Sequence, residues 1–284
     1  MPGKSTLTPE QFAEFDRRGV VRLAGLFSPD TVRRAREYVQ LRLASAGLWK
    51  NGAWNLAHVP RPRWPATGLK PSKVIGNRHP DVEALLEEPA LLAAVDVLLD
   101  GADFERTIFR RPQILFTLPN SDSWTVPHGW HVDLPRLASG RRPGVQVFAF
   151  LDTVAPRGGG TLVIAGSHRL LNDGRALRVK EMTELLCRDT FLRELYTEAP
   201  ASADSGDRAR LQGQTGSTGD IALQVMELTG SPGDAYLMDL RVLHTAAPNA
   251  AAYPRIMATH RFVRADVMQE LAETFGWESP EPLD

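Results

Sequence analysis

HGWHVDLP, residues 128–135, carries two histidines and an aspartate within six positions. On an extended chain, residues two apart point to the same face, so His131 and Asp133 can converge on one point. An imidazole and a carboxylate aimed together suit a borderline divalent metal such as Fe(II). A lone His-x-Asp is also a common chance pattern, and it reads equally as a polar patch. The choice depends on whether the chain supplies a further ligand downstream.

A candidate stands in DLRVLHTAAPNAAAYPRIMATHRF, residues 239–262. The apolar run predicts a strand that ends at His244. A polar loop with Pro248 and Asn249 follows, and Arg255 opens another strand. A hairpin here would bring Arg255 back beside His244. Two histidines and one carboxylate form a facial triad that leaves up to three positions open on an octahedral iron. The planar fork of a buried arginine is suited to a carboxylate. 2-Oxoglutarate has a keto acid end to chelate iron and a far carboxylate for Arg255, and O2 takes the remaining position.

Outward from these motifs, from about residue 107, short apolar segments alternate with turn signals. They are TIFRRPQILFTL, GVQVFAFLD, TLVIAG, DIALQVMEL, DAYLMDLRVLH and RIMATHRFV. They are rich in β-branched and aromatic residues and short for helices, which predicts strands of a sandwich or barrel. SPGD at 231–234 has Pro and Gly where a type II turn wants them. Residues 175–199 read as helical. Residues 200–220 are mostly Gly, Ser, Asp and Thr, a composition that predicts a mobile loop or lid.

The N-terminal third reads as helices. TPEQFAEFDRRG has Thr8 as N-cap, Pro9 at the first helical position and Gly19 as stop; SPDTVRRAREYVQLRLASAG repeats the pattern with Ser28, Pro29 and Gly47. Val32, Ala35, Val39 and Leu43 recur at helical spacing. HPDVEALLEEPALLAAVDVLLD predicts a third helix, broken near Pro89. Residues 51–78, rich in Pro, Gly and Asn but carrying Trp54, Trp64 and Lys73, read as an ordered loop of the kind that covers sites.

The 284 residues, 43% hydrophobic and 24% charged, have an ordinary globular composition and a length that buries a core without staples. A net charge of −1 gives no basic footprint for nucleic acid or an anionic membrane. No run approaches the ~18 apolar residues of a membrane span. The start has no signal-peptide core, and the single cysteine, Cys187, forms no intramolecular disulfide. The expectation is a cytoplasmic protein of one domain, 1–284, without nucleic-acid or membrane partners. Residues 1–105 would be helical decoration and 106–265 the β core, with a helical and flexible insertion at about 172–220.

GGGTLVIAGSH, residues 158–168, and GDAYLMDLRVLHTAAPNAAAYPR, residues 233–255, complete a pattern with the His-x-Asp. Together they resemble the phytanoyl-CoA dioxygenase family of Fe(II)/2-oxoglutarate-dependent oxygenases. The resemblance runs from about Lys73 to Phe262. It implies a mainly β double-stranded β-helix (a cupin-like jelly roll) with N-terminal helices. It also implies His131, Asp133 and His244 as iron ligands, and Arg255 as the clamp for 2-oxoglutarate. Thr161, Gln113, Lys73 and Phe148 fall where the family contacts that cosubstrate. The family usually has Pro where Ala165 stands and often Asn at Gly158. In its halogenase branch a small residue takes the place of Asp133, so an aspartate there speaks against halogenation.

Other readings stay open at this stage. His128 lacks an aspartate two residues on and reads as pocket wall or structure. Trp124 and Trp130 flank the motif and read equally as substrate contacts or as core. Ser167 and His168 are adjacent, a poor geometry for a Ser–His pair, and His260 reads as structural. The triple glycine lacks the Gly-Lys-Ser/Thr of a phosphate loop. Arg255 and Arg261 match an Arg-x5-Arg spacing of nucleic-acid demethylases, but that reading needs a basic groove. The functional expectation is oxidation of an unactivated C–H bond in a small-molecule substrate, with 2-oxoglutarate converted to succinate. The alternative is a non-catalytic jelly roll that binds a metal or ligand.

Overall fold

In the computed structural model, residues 7–56, 75, 79–105, 112–119, 124–197 and 205–276 are described. Thr8 accepts from Gln11 N at 3.2 Å and opens helix α1 (Pro9–Arg18), which Gly19 ends at φ 72°. Strand β1 (Val20–Leu23) follows. Ser28 caps α2 (Pro29–Ser45), whose Val32, Ala35, Val39 and Leu43 form one buried stripe. Fully burying one large aliphatic side chain stabilises by ~1.5–3 kcal/mol, so this stripe, not propensity, holds the helix down. A small hairpin, β2 (Trp49–Lys50) and β3 (Ala53–Trp54), sets Trp49 edge to face with Trp54, ring centroids 4.7 Å apart. The third helical segment is divided at Glu88, as expected before a proline: α3 (Pro80–Glu83) runs into a 3-10 turn, and α4 (Pro89–Leu98) restarts after it.

The β region comprises β4 (Phe104–Glu105), β5 (Gln113–Thr117), β6 (Gly144–Phe150) and β7 (Thr161–Ala165). Helices α5 (Val179–Leu186) and α6 (Thr190–Tyr196) come next. Then follow β8 (Thr215–Thr218), β9 (Ile221–Glu227), β10 (Ala235–Asp239), β11 (His244–Ala246), β12 (Arg255–Arg264) and α7 (Ala265–Phe275). The larger sheet orders β1-β10-β6-β12-β4, with β5 also paired to β12. The smaller orders β11-β7-β9-β8, and every pairing is antiparallel. The SPGD turn closes with Asp234 N donating to Ser231 O at 3.0 Å, and Gly233 takes φ 93°.

Strand alternation sorts the two faces of the larger sheet. Val145, Val147, Leu237, Ile256, Ala258 and Phe262 join residues of α2 and α4 in one apolar cluster, so the helices cover the outer face. Phe148, Phe150, Tyr236, Met238 and Met257 meet Val163 and Ala165 of the smaller sheet and Leu228 just past β9. The inner faces of the two sheets therefore share a core, the jelly-roll arrangement. On β12 the inward positions alternate through Arg255, Met257, Thr259 and Arg261.

Two expectations need correction. The apolar run before His244 is not one strand: β10 stops at Asp239, Val242 N closes a turn on Asp239 O at 2.9 Å, and His244 opens β11. Nor do β11 and β12 form a hairpin, because the connecting loop carries the chain from the smaller sheet to the larger. In the segment expected to be a mobile loop or lid, the described residues carry regular structure. Residues 205–211 form a 3-10 helix and 215–218 an edge strand. Composition missed this because one arginine, Arg208, supplies the anchoring that apolar residues usually give. It donates to the carbonyls of Val126, Pro127, Glu194, Leu195 and Thr197 at 2.6–3.3 Å.

Candidate metal centre

The His-x-Asp segment docks as an extra rung on the edge of the smaller sheet. His131 N donates to His244 O at 3.0 Å, and His244 N returns a bond to His131 O at 2.9 Å. This reciprocal pair sets the rings side by side, centroids 4.3 Å apart. His131 Nδ1 faces Gly129 O at 3.2 Å and His244 Nδ1 faces Val242 O at 3.0 Å. A carbonyl only accepts, so each Nδ1 carries the hydrogen and each Nε2 of the neutral ring keeps its lone pair. Burial pulls the His244 imidazole below its ordinary range, against the pull of Asp133, and so favours that neutral ring.

Asp133 completes the group. Its Oδ1 accepts from Arg261 Nη2 at 2.8 Å, whereas its buried Oδ2 has no hydrogen-bond partner and lies 3.7 Å from His244 Nε2. Burial pushes this carboxyl up, but His244 and Arg261 outweigh it and hold it below the usual carboxylate range. Donor atoms of His131, Asp133 and His244 lie within 4.8 Å of one another. Two imidazole lone pairs and one orphaned carboxylate oxygen form a donor set that fits a divalent iron ion. Among the described residues no other group of three His, Cys, Asp or Glu converges this way.

Arg255 sits on the inner face of β12, 5% exposed. Its Nη1 donates to Gly159 O at 2.6 Å, and its Nε has no partner. Burial pulls this guanidinium down to about 10, with Glu227 acting against the fall. Glu227 itself is spent on the glycine loop, accepting from Arg157 N at 2.7 Å and Gly160 N at 3.0 Å. A buried cation with an unsatisfied donor and no carboxylate bonded to it fits an anionic ligand. Gly159 is required here: its φ is 80°, and a Cβ would lie 2.9 Å from Asn249 Cβ. Asn249, fully buried, ties the crossing loop by donating to Thr117 O and Tyr253 O at 3.1 and 3.0 Å.

The other sequence-predicted residues divide. Thr161 is buried at the start of β7, two positions from the Val163 that pairs with His244. Phe148 is buried in the core between the sheets. Gln113 pairs in register with Thr259, and its Oε1 accepts from Arg261 Nη1 at 3.3 Å. Lys73, like Trp64, lies outside the described residues. Trp124 and Trp130, each 4% exposed, pack with Leu162, Ile164, Leu192 and Val225 in a separate apolar cluster, and His128 is exposed. Ser167 ties its own loop to the turn before β11, donating to Ile164 O and accepting from Leu243 N, while the His168 ring faces Asp16 O. Arg261, which the local sequence does not link to the His-x-Asp, also meets the site, through Asp133 Oδ1. The available signal was parity: residues six apart on a strand share a face.

A jelly roll that gathers two histidines and an aspartate at one sheet edge, with an underpaired arginine inside the barrel, has the features of a mononuclear non-haem iron enzyme. The chain belongs to the phytanoyl-CoA dioxygenase (PhyH) family, whose profile matches residues 15–257, and is thereby an iron- and 2-oxoglutarate-dependent enzyme by class. No curated protein sequence matches it significantly. Solved structures share the fold at low identity. The non-haem α-ketoglutarate-dependent carbocyclase SnoK from nogalamycin biosynthesis is 18% identical, with 91% of this chain and 85% of that chain covered and a TM-score of 0.55. EctD from S. alaskensis, with 2-oxoglutarate and 5-hydroxyectoine, is 17% identical over 94% and 79%, TM-score 0.54. HygX from Streptomyces hygroscopicus, with nickel and 2-oxoglutarate bound, is 18% identical over 91% and 88%, TM-score 0.53. No described helix is long and apolar enough to cross a membrane.

Proposed function

We propose that His131, Asp133 and His244 hold Fe(II), that Arg255 holds 2-oxoglutarate by its far carboxylate, and that the enzyme oxidises an unactivated C–H bond of a small molecule, most simply by hydroxylation. The observation that carries this reading is the donor set itself: one ligand atom each of His131, Asp133 and His244 lie within 4.8 Å of one another, and the unpartnered Asp133 Oδ2 is 3.7 Å from His244 Nε2. Bound iron would supply the oxidising power, using O2 and converting 2-oxoglutarate to succinate and CO2.

The protein's own share is positioning. The two carbonyls of Gly129 and Val242 fix which ring nitrogen each histidine presents. Arg255 offers its fork from inside the barrel, with Thr161 on the strand that follows the Gly159 carbonyl it touches. The core side chains Phe148, Met257 and Val163 keep the space between the sheets apolar, which strengthens the charge pairing of Arg255 with a dicarboxylate.

Anaerobic addition of Fe(II) and 2-oxoglutarate should give a weak visible charge-transfer band, lost in His131→Ala and Asp133→Ala. Succinate release should accompany turnover of a small-molecule substrate. A native protein with neither band nor succinate would favour a jelly roll that binds without turnover.

A further inference from the structure

We infer that Arg261 is a positioning residue for the metal centre: it engages one oxygen of Asp133, commits the other to the metal, and is itself set by Gln113. The inference rests on the reading of His131, Asp133 and His244 as ligands.

The geometry is that of a relay. Arg261 Nη2 donates to Asp133 Oδ1 at 2.8 Å, and Nη1 donates to Gln113 Oε1 at 3.3 Å. Because arginine has only donors, the Gln113 amide must present its oxygen here. Asp133 and Arg261 side chains are 13% and 11% exposed, so water competes little for the contact. The three residues come from the docked edge segment, β12 and β5, and β12 pairs directly with β5.

The same chain contains a control for what a purely stabilising pair looks like. Arg241 grips Asp239 with two prongs, Nε on Oδ1 at 2.9 Å and Nη2 on Oδ2 at 2.8 Å, and satisfies both oxygens. Arg261 leaves Asp133 half satisfied. A buried acceptor left unpaired is destabilising, so a pair serving stability alone would have closed the second bond. The spare oxygen instead lies beside His244 Nε2. A carboxylate free to swing can also bind a metal through both oxygens, taking a position that a chelating keto acid needs. Holding Oδ1 prevents that.

The sign of the effect separates positioning from simple charge. A cation beside a metal site repels the metal, so removing Arg261 should tighten binding if charge were its whole effect. If it positions Asp133, removal should weaken binding. The experiment is a titration of the protein with Mn(II) alone, followed by the EPR signal of free Mn(II), beside thermal melts. We expect Arg261→Gln to weaken Mn(II) binding by ~10–100-fold, the usual cost of losing a partner of a metal ligand. Gln113→Leu, which changes no charge, should weaken it several-fold, and Arg261→Lys should fall between wild type and Arg261→Gln. Binding within twofold of wild type, or tighter, in a folded Arg261→Gln overturns the inference. Should that variant not fold, unchanged binding in both Arg261→Lys and Gln113→Leu overturns it equally. Wild-type protein that binds no Mn(II), or His131→Ala that binds as tightly as wild type, would instead remove the ligand reading itself, and this inference with it.

Discussion

Arg255 donates to the Gly159 carbonyl at 2.6 Å from inside the barrel, and its Nε is left without an acceptor. A guanidinium buried against a neutral carbonyl is a liability in the ligand-free protein. A buried charge with no carboxylate bonded to it carries a desolvation cost, and an apolar side chain of similar size in its place removes that cost. Arg255→Leu should therefore melt at or above the wild-type temperature. Saturating 2-oxoglutarate should raise the wild-type melting temperature and leave Arg255→Leu unmoved. The lost charge-assisted contact should raise the KM for 2-oxoglutarate by ~10²-fold, equivalent to about 2.7 kcal/mol. A variant that keeps its thermal response to 2-oxoglutarate would show that the carboxylate binds elsewhere.

Arg208 ties the segment entering the His-x-Asp motif to the end of α6. Its guanidinium meets the carbonyls of Val126 and Pro127 on one side and Glu194, Leu195 and Thr197 on the other. Burial lowers its pKa, partly countered by Glu194, but it stays charged at neutral pH. A cation near a helix C-terminus also complements the helix dipole. Arg208→Met keeps the aliphatic stem and removes the donors. Hydrogen exchange at residues 124–131 should quicken, and stability should fall by ~2–3 kcal/mol, a discounted total for bonds partly replaced by water. Unchanged exchange in that segment would mean that the sheet-edge pairing of His131 with His244 suffices.

The strands were legible because alternation and turn chemistry agree locally: SPGD made its turn, and Pro89 divided its helix. The His131–Asp133 half of the candidate site was legible because His-x-Asp is a short-range pattern in which residues two apart on an extended chain share a face. What escaped the reading was long-range. Whether β11 and β12 pair is decided by which sheet each joins, and the apolar run before His244 does not encode that the chain must turn at Asp239. Arg208 and Arg261 act on partners many residues away, so no local window distinguishes them from solvated arginines. Trp124 and Trp130 read equally as pocket or core because a tryptophan's composition signal is the same in both; the fold packs them with Leu192 and Val225.

Asn249 fastens the loop that crosses between the sheets. It donates to Thr117 O and Tyr253 O and accepts from Ala251 N at 2.9 Å, while its Cα and Cβ crowd Gly159. Asn249→Ala would leave two carbonyls without their donor and one amide without its acceptor, at ~1–3 kcal/mol for each group that water cannot reach. The expected result is a fall in melting temperature together with a raised KM for 2-oxoglutarate, since Gly159 and Arg255 flank the loop. Asn249→Asp should restore only the acceptor role. A melting loss with an unaltered KM would confine Asn249 to the fold.

Asp239 is fully buried and paired with both prongs of Arg241, with Arg142 Nε at 3.5 Å from its second oxygen. Burial alone would raise this carboxyl, but the charge of Arg241 and its hydrogen bonds prevail and hold it below the usual range. A depressed folded pKa means that the folded state binds the proton less readily than the unfolded state. The stabilisation is thus complete above the unfolded pKa of ~3.9 and is lost as pH falls through the lower folded value. Asp239→Asn removes one partner of a buried pair and should cost ~3–5 kcal/mol at pH 7. Below pH 4 the wild-type protein begins to lose the same interaction, so the gap between the two proteins should narrow as the acid limb is approached. Urea melts at pH 7, 5 and 3.5 measure that gap directly. A gap that stays constant across the three would mean that Asp239 takes up no extra proton on unfolding over this range, so that folding does not depress its pKa and other carboxylates drive the acid unfolding.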